Sequence, residues 1–328
     1  MILICYGTRP EYIKLKPLIE EMSGVVPFKT LFTGQHKDLV KESADYVIEI
    51  TEGRNRLDSI ISSAMNSFDF KEEGITHVMV QGDTATAYAF ALSAFHHKIP
   101  VIHLEAGMRT YDLENPYPEE FYRQCISKIA SIHFAPTYYE NKFLKQDMVD
   151  GEIHVVGNTV LDNLVGVPIT YDDVVLITMH RRENHKTIPE YFKIFSKLAK
   201  DNPDLEFILP LHPNPDVQKH KELLKNITIV DPLPYDEMIN TIARCRFVMS
   251  DSGGIQEEAS FLKKKVIICR EKTERLASLT NPHLLCRYPN DLERMFYQAK
   301  NEYIVNEDCP YGDGTTSKKI VEILKCGI

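Results

Sequence analysis

Two apolar runs in this chain end in a carboxylate. Val78-Met79-Val80-Gln81-Gly82-Asp83-Thr84 and Ile102-His103-Leu104-Glu105-Ala106-Gly107-Met108-Arg109-Thr110 each carry a buried-type strand into an acid beside a glycine. Ligands of open parallel sheets collect at the carboxyl ends of the strands. Two acids delivered there suit proton transfer, because mutual repulsion raises one pKa. Either would serve as well as a helix N-cap or as a partner for Arg109. A third acid, Glu119, follows Pro118 at a predicted helix start, where compensation of the helix dipole is the plain alternative.

The second half carries a different chemistry. Phe247-Val248-Met249-Ser250-Asp251-Ser252-Gly253-Gly254-Ile255-Gln256-Glu257-Glu258 reads as a strand meeting a serine–glycine–glycine turn that opens a helix. Free N–H groups at such a start suit a diphosphate. Glu258, about one and a half turns further on, is placed to accept both hydroxyls of a ribose; a well-capped helix is the alternative. His180-Arg181-Arg182-Glu183-Asn184-His185 also follows a strand, offering a proton donor near neutral pH and a cation for phosphate. Neither His180 with His185 nor His96 with His97 has acid ligands at a metal spacing, so no metal is expected. At the amino terminus, Gly7-Thr8-Arg9-Pro10-Glu11 reads either as an anion cradle of loop N–H groups plus Arg9 or as an ordinary strand-to-helix turn.

These residues need strands alternating with helices. Strands are predicted at 2–6, 28–32, 76–81, 101–105, 132–136 and 153–159. Residues 37–75 read as mostly helical apart from a charged loop near 52–56, with further helices at 84–97, from 118, and at 137–147. After a linker at 164–173 the alternation restarts, with strands at 174–179, 205–209, 227–230, 246–250 and 265–269. The helices between them are placed at 187–200, 235–244 and 254–262. The expected fold class is α/β, two Rossmann-like doubly wound domains facing across a cleft. The expected division is 1–165, 166–310, and a helix at 311–328 returning to the first domain.

Composition narrows the partners. A net charge of −9 argues against nucleic acid, so an anionic ligand must be held by local cations. The seven cysteines (5, 125, 245, 269, 286, 309 and 326) show no CxxC spacing, which favours a reduced, cytoplasmic setting. No apolar run reaches the roughly 20 residues of a membrane span.

Taken together the motifs resemble the bacterial UDP-N-acetylglucosamine 2-epimerases of the non-hydrolysing type. The resemblance rests on Gly7-Thr8-Arg9-Pro10-Glu11 with Lys14, Gln81-Gly82-Asp83-Thr84, His103 to Thr110, Pro118-Glu119-Glu120, His180 to Asn184, Asp251 to Glu258 and Pro310-Tyr311-Gly312-Asp313-Gly314, in that order along nearly the whole chain. It implies the glycosyltransferase-B architecture, a homodimer, a UDP-sugar substrate and no cofactor. It also implies a reaction in which UDP is eliminated to leave 2-acetamidoglucal and then added back. By resemblance Asp83, Glu105, Glu119 and His180 are the catalytic candidates. Arg9, Lys14, Arg109, Arg123, His180, Arg181, His212, Ser252, Gly253, Gly254, Glu258 and Arg275 are the UDP-sugar candidates. Gln35, Arg54, Arg181 and His212 match an allosteric UDP-sugar site found in some members, although Asp38 departs from it.

Other departures surround the pocket. Tyr122 stands where the family commonly has asparagine, Thr273-Glu274-Arg275-Leu276-Ala277 lacks a proline and an acid, and the turn at Leu279-Thr280-Asn281-Pro282 lacks its usual glycine. The chain is also shorter than typical around 45–60. A hydrolysing 2-epimerase, a 2-epimerase of a modified UDP-N-acetylhexosamine, a glycosyltransferase of the same architecture and a non-catalytic nucleotide-sugar sensor are therefore the rival readings.

Overall fold

The run Ile2-Leu3-Ile4-Cys5-Tyr6 is apolar at every position because both faces of its strand are covered. Ile2, Ile4 and Tyr6 pack with Leu15, Leu18 and Met22, while Leu3 and Cys5 pack with Ala87, Phe90 and Ala94. Such two-sided burial is what a parallel sheet with crossover helices requires. The computed structural model describes residues 1–34, 44–71, 73–279 and 283–327. The chain divides into two units, Met1–Asn163 with Gly312–Ile328, and Leu164–Tyr311.

The first unit contains β1 (Ile2–Tyr6), α1 (Arg9–Met22), β2 (Phe28–Phe32), β3 (Tyr46–Val47), α2 (Arg56–Asn66) and β4 (His77–Gln81). It continues with α3 (Ala85–His96), β5 (Val101–Leu104), α4 (Glu119–Ile129), β6 (Ile132–Ala135), α5 (Tyr138–Gln146) and β7 (Glu152–Val155). Among the described residues its sheet has the order β3-β2-β1-β4-β5-β6-β7, parallel throughout. The second unit holds β8 (Val174–Thr178), α6 (Ile188–Asp201), β9 (Glu206–Pro210), α7 (Pro215–Gln218), β10 (Thr228–Val230) and α8 (Tyr235–Arg244). It then adds β11 (Phe247–Ser250), α9 (Gly253–Phe261), β12 (Lys265–Cys269), β13 (Leu284–Cys286) and α10 (Leu292–Asn301). Its described strands run β10-β9-β8-β11-β12-β13, also parallel. The last helix, α11 (Thr316–Gly327), belongs to the first unit, where Ile320, Val321 and Leu324 join the α1 face of the core.

The strand–helix alternation agrees with the sequence reading for most elements, with two corrections. The mostly helical reading of 37–75 is wrong for the described part: only α2 is helical there, and β3 pairs with β2. Asp45 explains the strand, since its carboxylate accepts from Thr30 N at 2.8 Å and from Lys29 Nζ at 2.7 Å and so stitches 45–47 to the sheet edge. β13 and α10 escaped sequence reading because Leu284-Leu285-Cys286 is too short to show a period. Among the described residues no helix is long and apolar enough to cross a membrane.

Two features fix the turns that follow β4 and β5. His103 on β5 is buried and donates its Nε2–H to Gly82 O at 2.8 Å, holding the loop that presents Asp83. Gly107 adopts φ +94°, and a Cβ there would lie 2.5 Å from Glu140 O and 2.9 Å from Leu144 Cγ. Gly107→Ala should therefore lower unfolding stability by about 2–4 kcal/mol, combining a left-handed backbone with overpacking; a urea midpoint unchanged from wild type would refute this. Burial pushes His103 down to about 3, so the folded state holds it neutral. The unfolded chain then binds one more proton below its ordinary value near 6.5. Stability is thus intact above that pH and falls by about 1.4 kcal/mol per pH unit on acidification towards about 3. Urea titrations between neutral and acid pH should show a shallower loss for His103→Gln than for wild type.

Candidate active site

The register of β4 and β5 pairs Gln81 with Leu104, so Gly82-Asp83 and Glu105-Ala106 leave the sheet side by side. A Cβ on Gly82 would sit 3.4 Å from Glu105 Oε2, which places that carboxylate over the Asp83 turn. Glu105 has a left-handed backbone, φ +59°, an uncommon and costly conformation for a non-glycine residue. Its carboxylate is ion-paired with Lys14 Nζ and accepts from Gln81 Nε2 at 2.6 Å and Asn158 Nδ2 at 3.3 Å. A strained backbone and charged and amide partners thus fix this carboxylate at the end of β5.

Asp83 Oδ2 accepts from Arg123 Nε and Nη2, both at 2.7 Å, and keeps about a quarter of its side chain (27%) exposed. Arg123 lies on α4 one turn after Glu119, which is partly exposed at that helix's first position. Residues four apart share a helix face, so the Asp83–Arg123 pair brings the Glu119 end of α4 towards the strand ends. Glu120, by contrast, is sealed. It accepts from Thr110 N (2.9 Å), Tyr111 N (3.1 Å), Arg123 Nη1 (3.3 Å) and Gln124 Nε2 (3.0 Å). Tyr122, the departure from the family pattern, is buried and stacks on Tyr88 at 4.9 Å between centroids.

The anion-cradle reading of the first loop is corrected. The Gly7 and Thr8 N–H groups donate to the protein's own Glu11 carboxylate at 3.1 and 2.7 Å, and Thr8 caps α1 in return. Thr84 Oγ1 donates to the other oxygen of Glu11 at 2.7 Å, tying the β1 and β4 turns together. Burial raises the Glu11 pKa, partly offset by these hydrogen bonds. Thr8-Arg9-Pro10-Glu11 has the spacing of a capping box, a signal present in the sequence. Arg9 is exposed at the first position of α1. Arg109 is also corrected as a substrate contact: its side chain is fully buried. It donates to Asp147 Oδ2, Met108 O and Ser127 Oγ at 2.7–2.8 Å.

In the second unit, the carboxyl ends of β8 and β11 are organised by Asp251, which sequence reading passed over. This sealed carboxylate accepts from His180 N (3.0 Å), Arg181 N (2.9 Å) and Asn184 Nδ2 (3.0 Å), with His180 Nδ1 at 3.5 Å. The His180 ring stacks on His212, 5.1 Å between centroids and 15° between planes. Burial lowers the His180 pKa, opposed by Asp251. Arg181 Nε is buried and, among the described residues, has no hydrogen-bond partner.

α9 opens as the sequence predicts. Ser252 is its N-cap residue but makes no side-chain cap, and Ser250 Oγ fixes the turn by accepting from Ser252 N at 2.9 Å. A Cβ on Gly254 would meet nothing within 4 Å, whereas one on Gly253 would lie 2.3 Å from Arg275 Nη1. Arg275 is thus set beside the helix start, held by Glu257 and Glu274. Glu258 is buried facing Tyr235, whose phenol pKa is raised by burial and by that carboxylate. Arg54 is exposed, while Gln35, Asp38 and Thr280 to Pro282 lie outside the described residues.

The comparisons with known proteins converge. The family model described as UDP-N-acetylglucosamine 2-epimerase matches residues 23–325. A Neisseria meningitidis serogroup A protein named UDP-N-acetylglucosamine 2-epimerase is 36% identical over 369 residues, with 98% of each chain covered. The crystal structure of UDP-GlcNAc 2-epimerase from Neisseria meningitidis bound to UDP-GlcNAc gives a TM-score of 0.89 at 33% identity, covering 98% of this chain and 99% of that one. That of the Methanocaldococcus jannaschii UDP-GlcNAc 2-epimerase in complex with UDP-GlcNAc and UDP gives 0.82 at 27% identity, covering 99% of both. With a family model matching most of its length and a relative above 30% identity end to end, the chain belongs to the UDP-N-acetylglucosamine 2-epimerase family.

Proposed function

We propose that this protein interconverts UDP-N-acetylglucosamine and UDP-N-acetylmannosamine without net hydrolysis. UDP is eliminated across C1–C2, and the bound 2-acetamidoglucal is protonated at C2 from the opposite face as UDP returns to C1. The hydrogen on C2 is weakly acidic, so its removal needs a carboxylate or imidazole held beside it. Departure of UDP needs preorganised positive charge where the diphosphate gains negative charge. The observation that carries the reading is the strained Glu105 leaving the sheet beside Asp83, with Arg123 drawing α4 and Glu119 to the same strand ends. Asp83, Glu105 and Glu119 are assigned the proton transfers, with Lys14 positioning Glu105.

The second unit supplies the hold on UDP. The α9 start at Ser252, Gly253 and Gly254, the open space over Gly254 and the unsatisfied Arg181 Nε all favour an anion. His180 and His212 flank that diphosphate, and Glu258, buried near Tyr235, takes the ribose hydroxyls. The reading extends to a cytoplasmic homodimer that feeds UDP-N-acetylmannosamine to surface polysaccharide synthesis, in keeping with cysteines scattered along the chain without CxxC spacing.

In deuterated water, UDP-N-acetylglucosamine should lose its C2 proton signal by NMR as both UDP-sugar epimers appear deuterated. Accumulating free N-acetylmannosamine would establish the hydrolysing reaction instead, and absence of exchange would favour a glycosyltransferase. Asp83→Asn should lower kcat by about 100-fold or more, the usual worth of a positioned acid or base, while UDP still binds; a near-wild-type rate would remove Asp83 from the chemistry. Glu258→Ala should weaken UDP binding by about 1–3 kcal/mol in calorimetry, the loss of a charged hydrogen bond. Unchanged affinity would take Glu258 off the ribose.

A further inference from the structure

Cys269 and Cys286 face one another as register partners across the parallel strands β12 and β13. Register partners on adjacent strands project to the same side, and both side chains lie in the same sealed core beneath α6 and α10. Adjacent strands are spaced about 4.8 Å apart, inside the roughly 4.4–6.8 Å between Cα atoms that a disulfide spans. Cys269 Sγ donates to Ile267 O at 3.7 Å and Cys286 Sγ to Tyr288 O at 3.2 Å, and the nearness of the two thiols lowers the Cys286 pKa while raising that of Cys269. Cys5, the other cysteine in a strand, faces Leu31 and Val80 and has no such partner.

We propose that Cys269 and Cys286 form a thiol pair that a hydroperoxide oxidises to an intramolecular disulfide, and that the bond disturbs the His180 end of the site. The Cys286 thiolate attacks the O–O bond of hydrogen peroxide and becomes a sulfenic acid, and the departing hydroxide takes up the proton the thiol gave and leaves as water. The Cys269 thiolate then attacks that sulfur, the S–S bond forms and a second water leaves. Two thiols lose two electrons and two protons in all, and the peroxide takes both. Access to the buried pair comes from β13, which is three residues long and forms the edge of its described sheet. Such an edge opens locally at low cost.

The consequence for the site runs through one amide. Asn184 Nδ2 donates to Cys269 O at 2.9 Å and to Asp251 Oδ2 at 3.0 Å, and Asp251 in turn holds the His180 and Arg181 N–H groups. Drawing the sulfurs to about 2.05 Å shifts the Cys269 backbone and, with it, the oxygen that anchors Asn184. This second half of the proposal rests on the epimerase reading; formation of the bond does not.

The test uses the full chain, treated with hydrogen peroxide, denatured, capped with N-ethylmaleimide and mapped by mass spectrometry. Treated protein should carry two fewer caps than its reduced control and yield one linked peptide joining Cys269 to Cys286. That peptide should be absent from Cys286→Ser and from Cys269→Ala. Its rate with UDP-N-acetylglucosamine should fall about tenfold, as for one lost polar contact, and return with dithiothreitol, while Cys286→Ser keeps its rate in peroxide. Full capping of both residues, or a link to any other cysteine, overturns the pair. A linked protein with an unchanged rate overturns the coupling to His180. Untreated protein that never turns over the sugar counts against the epimerase reading alone, since the mass map still decides the bond.

Discussion

Three carboxylates sealed inside the protein hold the loops at the carboxyl edges of its sheets. Glu11 accepts from Gly7 and Thr8, Glu120 from Thr110 and Tyr111, and Asp251 from His180 and Arg181. Each fills, from within, a cluster of backbone N–H groups that would otherwise demand water or an external anion. A carboxylate in such a place freezes the loop, because leaving those donors unpaired in a low-dielectric setting costs far more than an ordinary hydrogen bond gains. Loops fixed this way can present neighbouring side chains at set positions, which a mobile loop cannot do.

The same device separates loops that build from loops that bind. α1 and α3 are capped by their own threonines, Thr8 and Thr84, so their starts are occupied. α9 is set up differently. Ser250 and Arg275 shape the approach to its first turn, yet Ser252 gives no side-chain cap and Gly254 has open space over it. Arg275 puts positive charge at the positive end of a helix, an unfavourable arrangement taken alone, which Glu257 and Glu274 offset. The outcome is an uncapped helix start with a neutralised guanidinium beside it, which leaves the N–H groups of the first turn as the donors that the proposed diphosphate would meet.

The fold was readable where apolar runs were long and was lost where they were not. β1, β4, β5, β8, β11 and β12 announce themselves by continuous burial on both faces. β3 and β13 span two and three residues and depend on neighbours distant in sequence. At the site, the motif acids were legible because each follows a strand, and the α9 turn because glycine pairs at helix starts are rare without cause. Illegible was which acid would be consumed internally. Glu119 and Glu120 are adjacent and chemically alike, yet it is Glu120 that takes the loop N–H groups, since Thr110 and Tyr111 arrive there from a loop whose path no local pattern encodes. Arg109 misled for the same reason: a cation beside a glycine turn suggests phosphate, but Asp147, thirty-eight residues on, takes it.

The acids proposed for proton transfer differ from these three loop-holding carboxylates in what holds them. Glu11, Glu120 and Asp251 each accept from two backbone N–H groups besides their side-chain partners, so a change in the protonation of any of them would loosen a loop. Glu105 and Asp83 take side-chain donors, Lys14, Gln81 and Asn158 among those of the one and Arg123 for the other. Side-chain partners can follow a proton or yield to a substrate by rotating about χ angles, whereas a loop amide moves only with its backbone. Glu105 adds a left-handed φ that packing alone has no reason to impose at a glutamate, since glycine would adopt it without strain. Under the proposed epimerase chemistry, the strain at Glu105 is the cost of setting a carboxylate beside Asp83 at the ends of β4 and β5.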